Sequence, residues 1–268
     1  MTNNLGMNLF RMLWTLSAMA VVSGCGVLSW EQESRIGEEQ VAEIARTSSL
    51  VSDNEIIEYI GNLTTKLLAA SPPTSQQISF RIIHSNVFSA FAIPGGNIYL
   101  TTGTIMACNN VSELASILAH EIGHVQAGHI SRDYRRYQTS RTAAELAGIT
   151  LAVVTGNPFV AGAGDLAANL GSSVYIGVHS RDSEREADEL AFLIMQEAGY
   201  DPRSQITLLM RLAVLSIGQS TTPPFLLTHP LPDERVDDAS IRSQLLSGSQ
   251  RYTVNDGGRL ESIQSKLR

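Results

Sequence analysis

The sequence predicts a single, mainly helical α+β domain with a small β-sheet beside one buried helix. First, the chain has 268 residues, of which 43% are apolar, enough for one substantial hydrophobic core. Second, several long segments repeat apolar residues at helical spacing, whereas only two short segments are rich in β-branched and aromatic residues. Third, one helical segment, residues 114–125, is apolar nearly all the way round, which is typical of a buried helix.

The charge of the chain excludes one class of function. The formal net charge is −7 at pH 7, and no block of Lys or Arg residues stands out. A protein that binds nucleic acid without sequence preference needs a basic surface, so we expect no nucleic-acid partner.

The N-terminal residues 1–24 are typical of a targeting segment. Arg11 is the only charged residue there, and the apolar stretch from Met12 to Val22 is too short to span a bilayer. Small residues and then Cys25 follow, which is the order of a bacterial lipoprotein signal. We expect a lipid anchor on Cys25 and an outer-membrane lipoprotein that faces the periplasm; the alternative is an ordinary signal peptide. Cys108 would then be the only other thiol, a small buried side chain.

The elements that follow are predicted in chain order. Glu31–Arg46 and Asp53–Ala70 have the periodicity of amphipathic helices. Residues 78–83 and 97–101 have strand composition, and Pro94-Gly95-Gly96 is expected to turn the chain between them.

Two further helices are marked by capping signals. Asn110, followed three residues later by Glu113, resembles a capping box at the start of the buried helix. Ser183 begins a second helix that runs to Ala198, and Gly199 closes it.

The remaining segments complete the domain, which we expect to span residues 25–250. Residues 146–164 carry no charge, but Gly156-Asn157-Pro158 interrupts them, which favours a cover beside the site or an interfacial patch over a membrane span. Residues 251–268 are polar and are expected to form a loosely held tail.

The chemistry centres on His120, Glu121 and His124 in the buried helix. Residues four apart lie on one face of a helix, so the two imidazoles can bind one metal ion with the glutamate beside it. A catalytic zinc ion needs three protein ligands and one open position. This pattern indicates a metal-dependent hydrolase whose third ligand lies elsewhere.

The third metal ligand could come from either of two places in the sequence. In the longer histidine pattern, Gly and His would occupy positions 127 and 130, where the chain has Ala127 and Ile130. Gly128 and His129 miss that pattern by one place each, so His129 is expected to be a capping or surface residue.

The other source is a carboxylate on the second capped helix. Glu184 and Asp188 lie on one face of that helix, which is otherwise apolar. Glu184 is the candidate ligand, and Asp188 could accept the second ring N–H of a ligating histidine.

Together these motifs resemble the gluzincin metallopeptidases of the BepA, LoiP and HtpX type, relatives of the CAAX-prenyl endopeptidases. The resemblance rests on five blocks that occur in family order: Phe91–Gly103, His120–His124, Ser180–Asp188, Ala198–Pro202 and Thr228–Arg235. It implies a zincin-like domain, with one zinc ion on His120, His124 and Glu184. It also implies that Glu121 is the general base and that Asp188 supports the ligands.

Two further residues enter only through the resemblance. His229 and Arg235 match family positions that line the active site, where they would steady the oxyanion, or where the histidine would close onto the metal as an inhibitory fourth ligand. The chain departs from the family at Ser89, where Asn is usual, and at His179, where an aromatic residue is common.

The leading functional hypothesis is a zinc metalloendopeptidase that cleaves unfolded or misfolded cell-envelope proteins, with outer-membrane assembly factors as partners. An extended substrate could pair with the strand at residues 97–101. The alternative is a proteolytically silent, zinc-stabilised chaperone or adaptor lipoprotein. A third hypothesis is a structural lipoprotein in which the metal motif is accidental. Two histidines and a glutamate also admit manganese or iron.

Overall fold

The structure of the chain is a computed structural model that describes residues 28–74, 76–139, 178–216, 224–230, 233–246 and 251–268. The targeting segment with Cys25 and the uncharged segment 146–164 lie outside the described residues. Within the ranges described, no helix combines the length and the apolar character needed to cross a bilayer.

The described part of the chain is mainly helical, with one small sheet. Its helices are α1 (Trp30–Thr47), α2 (Asn54–Ala69), α3 (Thr102–Ala107), α4 (Val111–Gln126), α5 (His129–Thr139), α6 (Arg181–Glu197), α7 (Arg203–Ser216), α8 (Pro224–Thr228), α9 (Asp233–Gln244) and α10 (Arg259–Lys266). Its strands are β1 (Ser79–Ile83), β2 (Ala90–Ile93) and β3 (Asn97–Thr101). The predicted mainly helical α+β class is confirmed.

Helices α1 and α2 each begin at a residue whose side chain caps the first turn. Ser29 and Gln32 form a reciprocal capping box at α1, and the carboxylate of Asp53 accepts the backbone N–H groups of Glu55 and Ile56 at α2. Both helices were predicted from their amphipathic periodicity, and the predicted bounds lie within about one residue of the observed ends.

The sheet has the strand order β1-β3-β2, with β1 parallel and β2 antiparallel to the central β3. The turn at Pro94-Gly95-Gly96 therefore joins β2 to β3, and the expectation that it joins β1 to β3 is wrong. Gly95 and Gly96 have φ values of 79° and 69°, which glycine adopts without strain. Strand β2, at residues 90–93, escaped prediction because four small and apolar residues show no alternation.

Helix α4 lies at the centre of the core, as its all-round apolar pattern predicts. Every residue from Val111 to Val125 is buried, and α4 packs against β2, α2, α6 and α7. Asn110 caps it as expected, but the carboxylate of Glu113 accepts the N–H of Asn109, not that of Asn110, and also binds Arg211.

The C-terminal segment 251–268 is packed against the domain, so the expectation of a loosely held tail is wrong. Leu260 and Ile263 are buried on α10, and the side-chain amide of Gln264 donates to the carbonyl groups of Ile105 and Cys108 at 2.9 and 2.8 Å. Cys108 is buried, as predicted, and burial raises the pKa of its thiol.

The replacement Gly37→Ala is expected to destabilise the protein. Gly37 is buried on α1, and an added Cβ would overlap the carbonyl group of Pro94 in the turn between β2 and β3. Overpacking of this kind costs about 1–3 kcal/mol, more than the roughly 1 kcal/mol that alanine gains over glycine in a helix. The free energy of unfolding in urea measures the loss.

The matched control is Gly61→Ala on α2. Its added Cβ would lie 3.4 Å from the ring of Phe80, an ordinary contact. This variant should be as stable as the parent or more stable by up to about 1 kcal/mol. Equal stability of the two variants would contradict the close approach of α1 to the turn.

Candidate metal centre

The candidate site forms where α4 and α6 pack against each other at very short range. A Cβ added at Gly123 would lie only 3.0 Å from the carbonyl oxygen of Ala187 and 3.3 Å from its Cα. Both residues are buried and small, so the two helix backbones can approach closely. This approach brings Glu184 on α6 to the face of α4 that carries His120 and His124.

Four buried side chains converge at this crossing: His120, His124, Glu184 and His229. Each offers one ligand atom, and these atoms all lie within 4.8 Å of one another. The Nε2 atoms of His120 and His124 are 3.0 Å apart, and the carboxylate of Glu184 lies 3.4 and 3.2 Å from them. The Nδ1 atom of His229 lies 3.3 Å from Nε2 of His120 and 3.1 Å from Glu184.

These separations fit a small metal ion. Atoms bonded at about 2.0–2.1 Å to a tetrahedral zinc ion lie about 3.3 Å from one another. Five of the six pairs of side chains approach to between 3.0 and 3.4 Å. Imidazole nitrogen and carboxylate oxygen are also ligand types that bind zinc, manganese and iron.

Glu121 lies beside this cluster with an unusual environment. It is fully buried, and neither oxygen of its carboxylate has a hydrogen-bond partner within the described part of the chain. Nε2 of His229 lies 3.4 Å from its Oε1. A buried carboxylate without a partner is costly, so such a group is typical of a site that binds a cation, a water molecule or a substrate.

Asp188 stands one helical turn beyond Glu184 and behind His120. Its Oδ1 lies 3.0 Å from Nδ1 of His120, and the amide of Gln205 donates to the same oxygen at 3.1 Å. Burial lowers the pKa of His120, but the carboxylates of Asp188 and Glu184 outweigh it and raise the pKa to about 9. The structure thus brings Asp188 to the second ring nitrogen of His120, where the sequence places it.

Arg235 links the two carboxylates of α6. Its Nε and Nη2 donate to Asp188 at 2.7 and 2.9 Å, and its Nη1 lies 2.7 Å from Glu184. Burial opposes the ionisation of Asp188, yet the charge of Arg235 lowers the pKa of Asp188 to about 2. Burial also opposes the ionisation of Glu184, but His229 and Arg235 hold the pKa of Glu184 well below its usual value. All three nitrogens of Arg235 are engaged, so an oxyanion role would require one of these contacts to break.

Two histidines, His129 and His179, lie against the ring of His124, and the sequence did not predict either contact. His129 is fully buried with Nδ1 2.9 Å from Nδ1 of His124, so the expectation of a capping or surface residue is wrong. The ring of His179 stacks on that of His124 at a centroid distance of 3.8 Å, and its Nδ1 bonds to Asp133 at 2.8 Å. Burial and the charges of His179 and His120 hold the pKa of His124 well below its usual value, which favours the neutral, metal-binding form.

The one feature of the sequence that could have indicated these two residues is that both are histidines. The chain has six histidines, and five of them meet in this cluster, whereas His84 is exposed. Ser89, the other departure noted, is buried, and its backbone N–H donates to the hydroxyl of Thr104 at 2.8 Å.

Residues 54–243 match peptidase family M48. The chain belongs to this family. The family's peptidases are metal-dependent, so the predicted metallopeptidase relationship is confirmed at the level of the family. The four candidate ligand residues, His120, His124, Glu184 and His229, all lie within the matched range.

Several curated proteins are similar to this chain. It is 33% identical over 228 residues to the beta-barrel assembly-enhancing protease of Yersinia pestis, which covers 82% of this chain and 46% of that protein. The corresponding protease of Escherichia coli (strain K12) is 31% identical over 233 residues, 85% of this chain and 47% of that protein. The mitochondrial metalloendopeptidase OMA1 of Schizosaccharomyces pombe is 26% identical over 182 residues, 66% of this chain and 50% of that protein. The chain spans about half the length of the curated relatives it matches.

The replacement Arg235→Met is expected to destabilise the metal-free protein by about 3–5 kcal/mol, because it leaves two buried carboxylates without their cation. The control Arg185→Met removes an arginine whose side chain is half exposed and whose ion pairs with Asp182 and Asp238 are long. It should change stability by less than about 1 kcal/mol. Urea unfolding after chelator treatment measures both, and similar losses would argue against a supporting role for Arg235.

Proposed function

We propose that this chain is a zinc-dependent metalloendopeptidase that cleaves unfolded or misfolded proteins of the cell envelope. The observation that carries the proposal is the buried carboxylate of Glu121, which has no hydrogen-bond partner in the described residues, beside a cluster of four potential ligand atoms. A structural metal site has no use for such a carboxylate, whereas hydrolysis requires a base next to the reacting carbonyl group.

His120, His124 and Glu184 are the residues that would hold the zinc ion. Their set of two imidazoles and one carboxylate is the set found in metallopeptidases such as thermolysin. When bound there, zinc supplies a Lewis acid that polarises the scissile carbonyl group and acidifies a water molecule. Asp188 would orient the ring of His120 through its second nitrogen and make the ring a more basic ligand.

Glu121 would act as the general base and then as the general acid. Its carboxylate takes a proton from the attacking water and delivers it to the nitrogen of the leaving amine. The absence of competing hydrogen bonds to either oxygen leaves both free to accept that proton. Its complete burial excludes bulk water and strengthens its interaction with developing charge.

The substrate strand would pair with β2, not with residues 97–101 as the sequence suggested. Those residues form β3, whose two edges are already occupied by β1 and β2. The Ser89 carbonyl accepts the N–H of Thr101, so by antiparallel alternation the polar groups of Ala90 and Ala92 point away from β3. Since β2 packs on α4, a peptide added at this edge would pass beside the metal ligands.

The substrate class and location follow from the same features. Pairing through main-chain hydrogen bonds tolerates many sequences and requires an extended chain, which favours unfolded proteins. The similar bacterial proteins are described as beta-barrel assembly-enhancing proteases, which supports outer-membrane assembly factors as partners. The signal around Cys25 supports an outer-membrane lipoprotein that faces the periplasm.

The replacement Glu121→Gln should lower peptide release from an unfolded protein by about 10²–10⁴-fold, because the amide cannot take the proton. One zinc ion per chain should still bind, since the three ligands are intact. The control Glu58→Gln, at an exposed glutamate on α2, should leave both quantities unchanged. Equal activity of Glu121→Gln and the parent chain would refute the mechanism.

We further propose that this arrangement of the metal centre is a closed form of the enzyme. Nδ1 of His229 stands at the fourth corner of the ligand set, which is the place that a catalytic site keeps open for water. The contact of His229 with Glu184 at 3.1 Å would hold it there. Activity would then require this histidine to leave the ligand set.

The replacement His229→Ala is therefore expected to raise the initial rate of peptide release severalfold, because it opens the fourth position. The exposed His84 provides the control His84→Ala, which should leave the rate unchanged. The rate on an unfolded protein, with zinc content measured in parallel, distinguishes the two proposed roles of His229. A fall to the level of Glu121→Gln would show that His229 serves catalysis directly.

A further inference from the structure

The second ligand, His124, is supported differently from the first. Behind His120 stands a carboxylate, that of Asp188, at 3.0 Å from Nδ1. Behind His124 stands another histidine, His129, whose Nδ1 is 2.9 Å from Nδ1 of His124. Nε2 of His129 lies 3.1 Å from the carboxylate of Glu186, and this carboxylate reaches solvent.

One assignment of ring protons satisfies this whole chain of contacts. Nε2 of His124 points at Glu184 in the ligand set, so a neutral, ligating His124 carries its proton on Nδ1. Nδ1 of His129 must then accept that proton in a hydrogen bond, which places the proton of His129 on Nε2. This second proton is donated to Glu186, so the carboxylate selects the tautomer of His129 that His124 needs.

The local backbone explains how a residue five positions after a ligand returns to it. Helix α4 ends at Gln126, and Gly128 has a φ of 67°, a left-handed conformation that suits glycine. The N–H of Gly128 closes the end of the helix on the carbonyl group of Val125 at 3.1 Å. Helix α5 therefore starts in a new direction, with His129 as its first residue and facing His124.

Helix α5 also restrains the face of the His124 ring. Asp133, one turn after His129, bonds to Nδ1 of His179 at 2.8 Å. The ring of His179 stacks on that of His124 at an interplanar angle of 23°. The ring of His124 is thus held at its edge by His129 and on its face by His179.

We propose that His129 is a positioning residue of the metal centre, which fixes the ring and tautomer of His124 and is itself held by Glu186. This inference rests on the proposed role of His124 as a metal ligand. Loss of such support typically weakens metal binding by 10–100-fold. Helix α5, which carries no ligand, would therefore contribute to metal affinity.

The test measures the zinc dissociation constant of the full chain by competition with a chromophoric chelator. In His129→Asn, the side-chain oxygen lies near the place of Nδ1 and can still accept from His124, but the amide cannot reach Glu186. In His129→Gln, the amide lies near the place of Nε2, so it can reach Glu186 but not His124. We expect His129→Gln to lose about 10–100-fold in zinc affinity, and His129→Asn to retain most of it.

This pair separates positioning from simple filling of space. Glutamine is closer to histidine in size, so a residue that only fills the core would favour His129→Gln over His129→Asn. Equal affinities of the two variants, or a weaker affinity of His129→Asn, would overturn the proposal. Melting temperatures of the metal-free variants verify that each chain is folded.

A surface variant keeps the test decisive if a buried replacement fails to fold. The side chain of Glu186 is 55% exposed, so Glu186→Ala should fold normally and weaken zinc binding severalfold. Its control is Glu189→Ala, at an exposed glutamate on the same helix, which should bind zinc as the parent does. Parental affinity in Glu186→Ala would also overturn the proposal.

Failure of the positioning role and failure of the metal centre give different results. A parent chain that binds no zinc, or a His124→Ala chain that binds zinc as tightly as the parent, contradicts the proposed metal centre. Zinc binding that depends on His124 but not on His129 contradicts the positioning role alone.

Discussion

The close packing of α4 against α6 is the constraint on which the rest of the site depends. Gly123 has no side chain at the point where the backbone of Ala187 approaches, and larger residues there would push the helices apart. The carboxylate of Glu184 lies 3.2 Å from His124, and even a small separation of the helices would remove it from the ligand set. Small residues at one contact therefore determine whether two distant segments can share a metal ion.

The site concentrates ionisable groups in a region closed to solvent. Glu184, Asp188 and Arg235 compensate one another, and the four ligand side chains face a common point. The charges of these three residues are paired, because an unpaired buried charge costs several kcal/mol. Glu121 differs from them, because neither oxygen of its carboxylate accepts a hydrogen bond within the described residues, and the reaction we propose needs that carboxylate free. Burying this carboxylate without hydrogen bonds lowers the stability of the fold, as is common for residues at functional sites.

Features that depend on neighbours in the chain were predictable from the sequence. The i,i+4 spacing placed His120 with His124 on α4, and the same spacing placed Glu184 with Asp188 on one face of α6. The helical spacing of apolar residues predicted α2 to within one residue of its ends. Each signal requires only helical geometry over one or two turns, which the sequence states directly.

Only the tertiary structure shows the contacts between residues that lie on either side of a helix end or in distant segments of the chain. His129 misses the position that a continuous helix would require, but Gly128 ends that helix and redirects the chain, so counting along α4 no longer applies. His179 joins the cluster from a segment beyond α5, and α10 covers the carbonyl ends of α3 from the far end of the chain. Residue type can mark a histidine as a candidate, but neither type nor local period tells which residues meet, because the energy that selects these contacts comes from packing among elements far apart in sequence. The sequence by itself determined which candidate metal ligands share a helix face, because helical geometry fixes that spacing, and the fold decided what surrounds them.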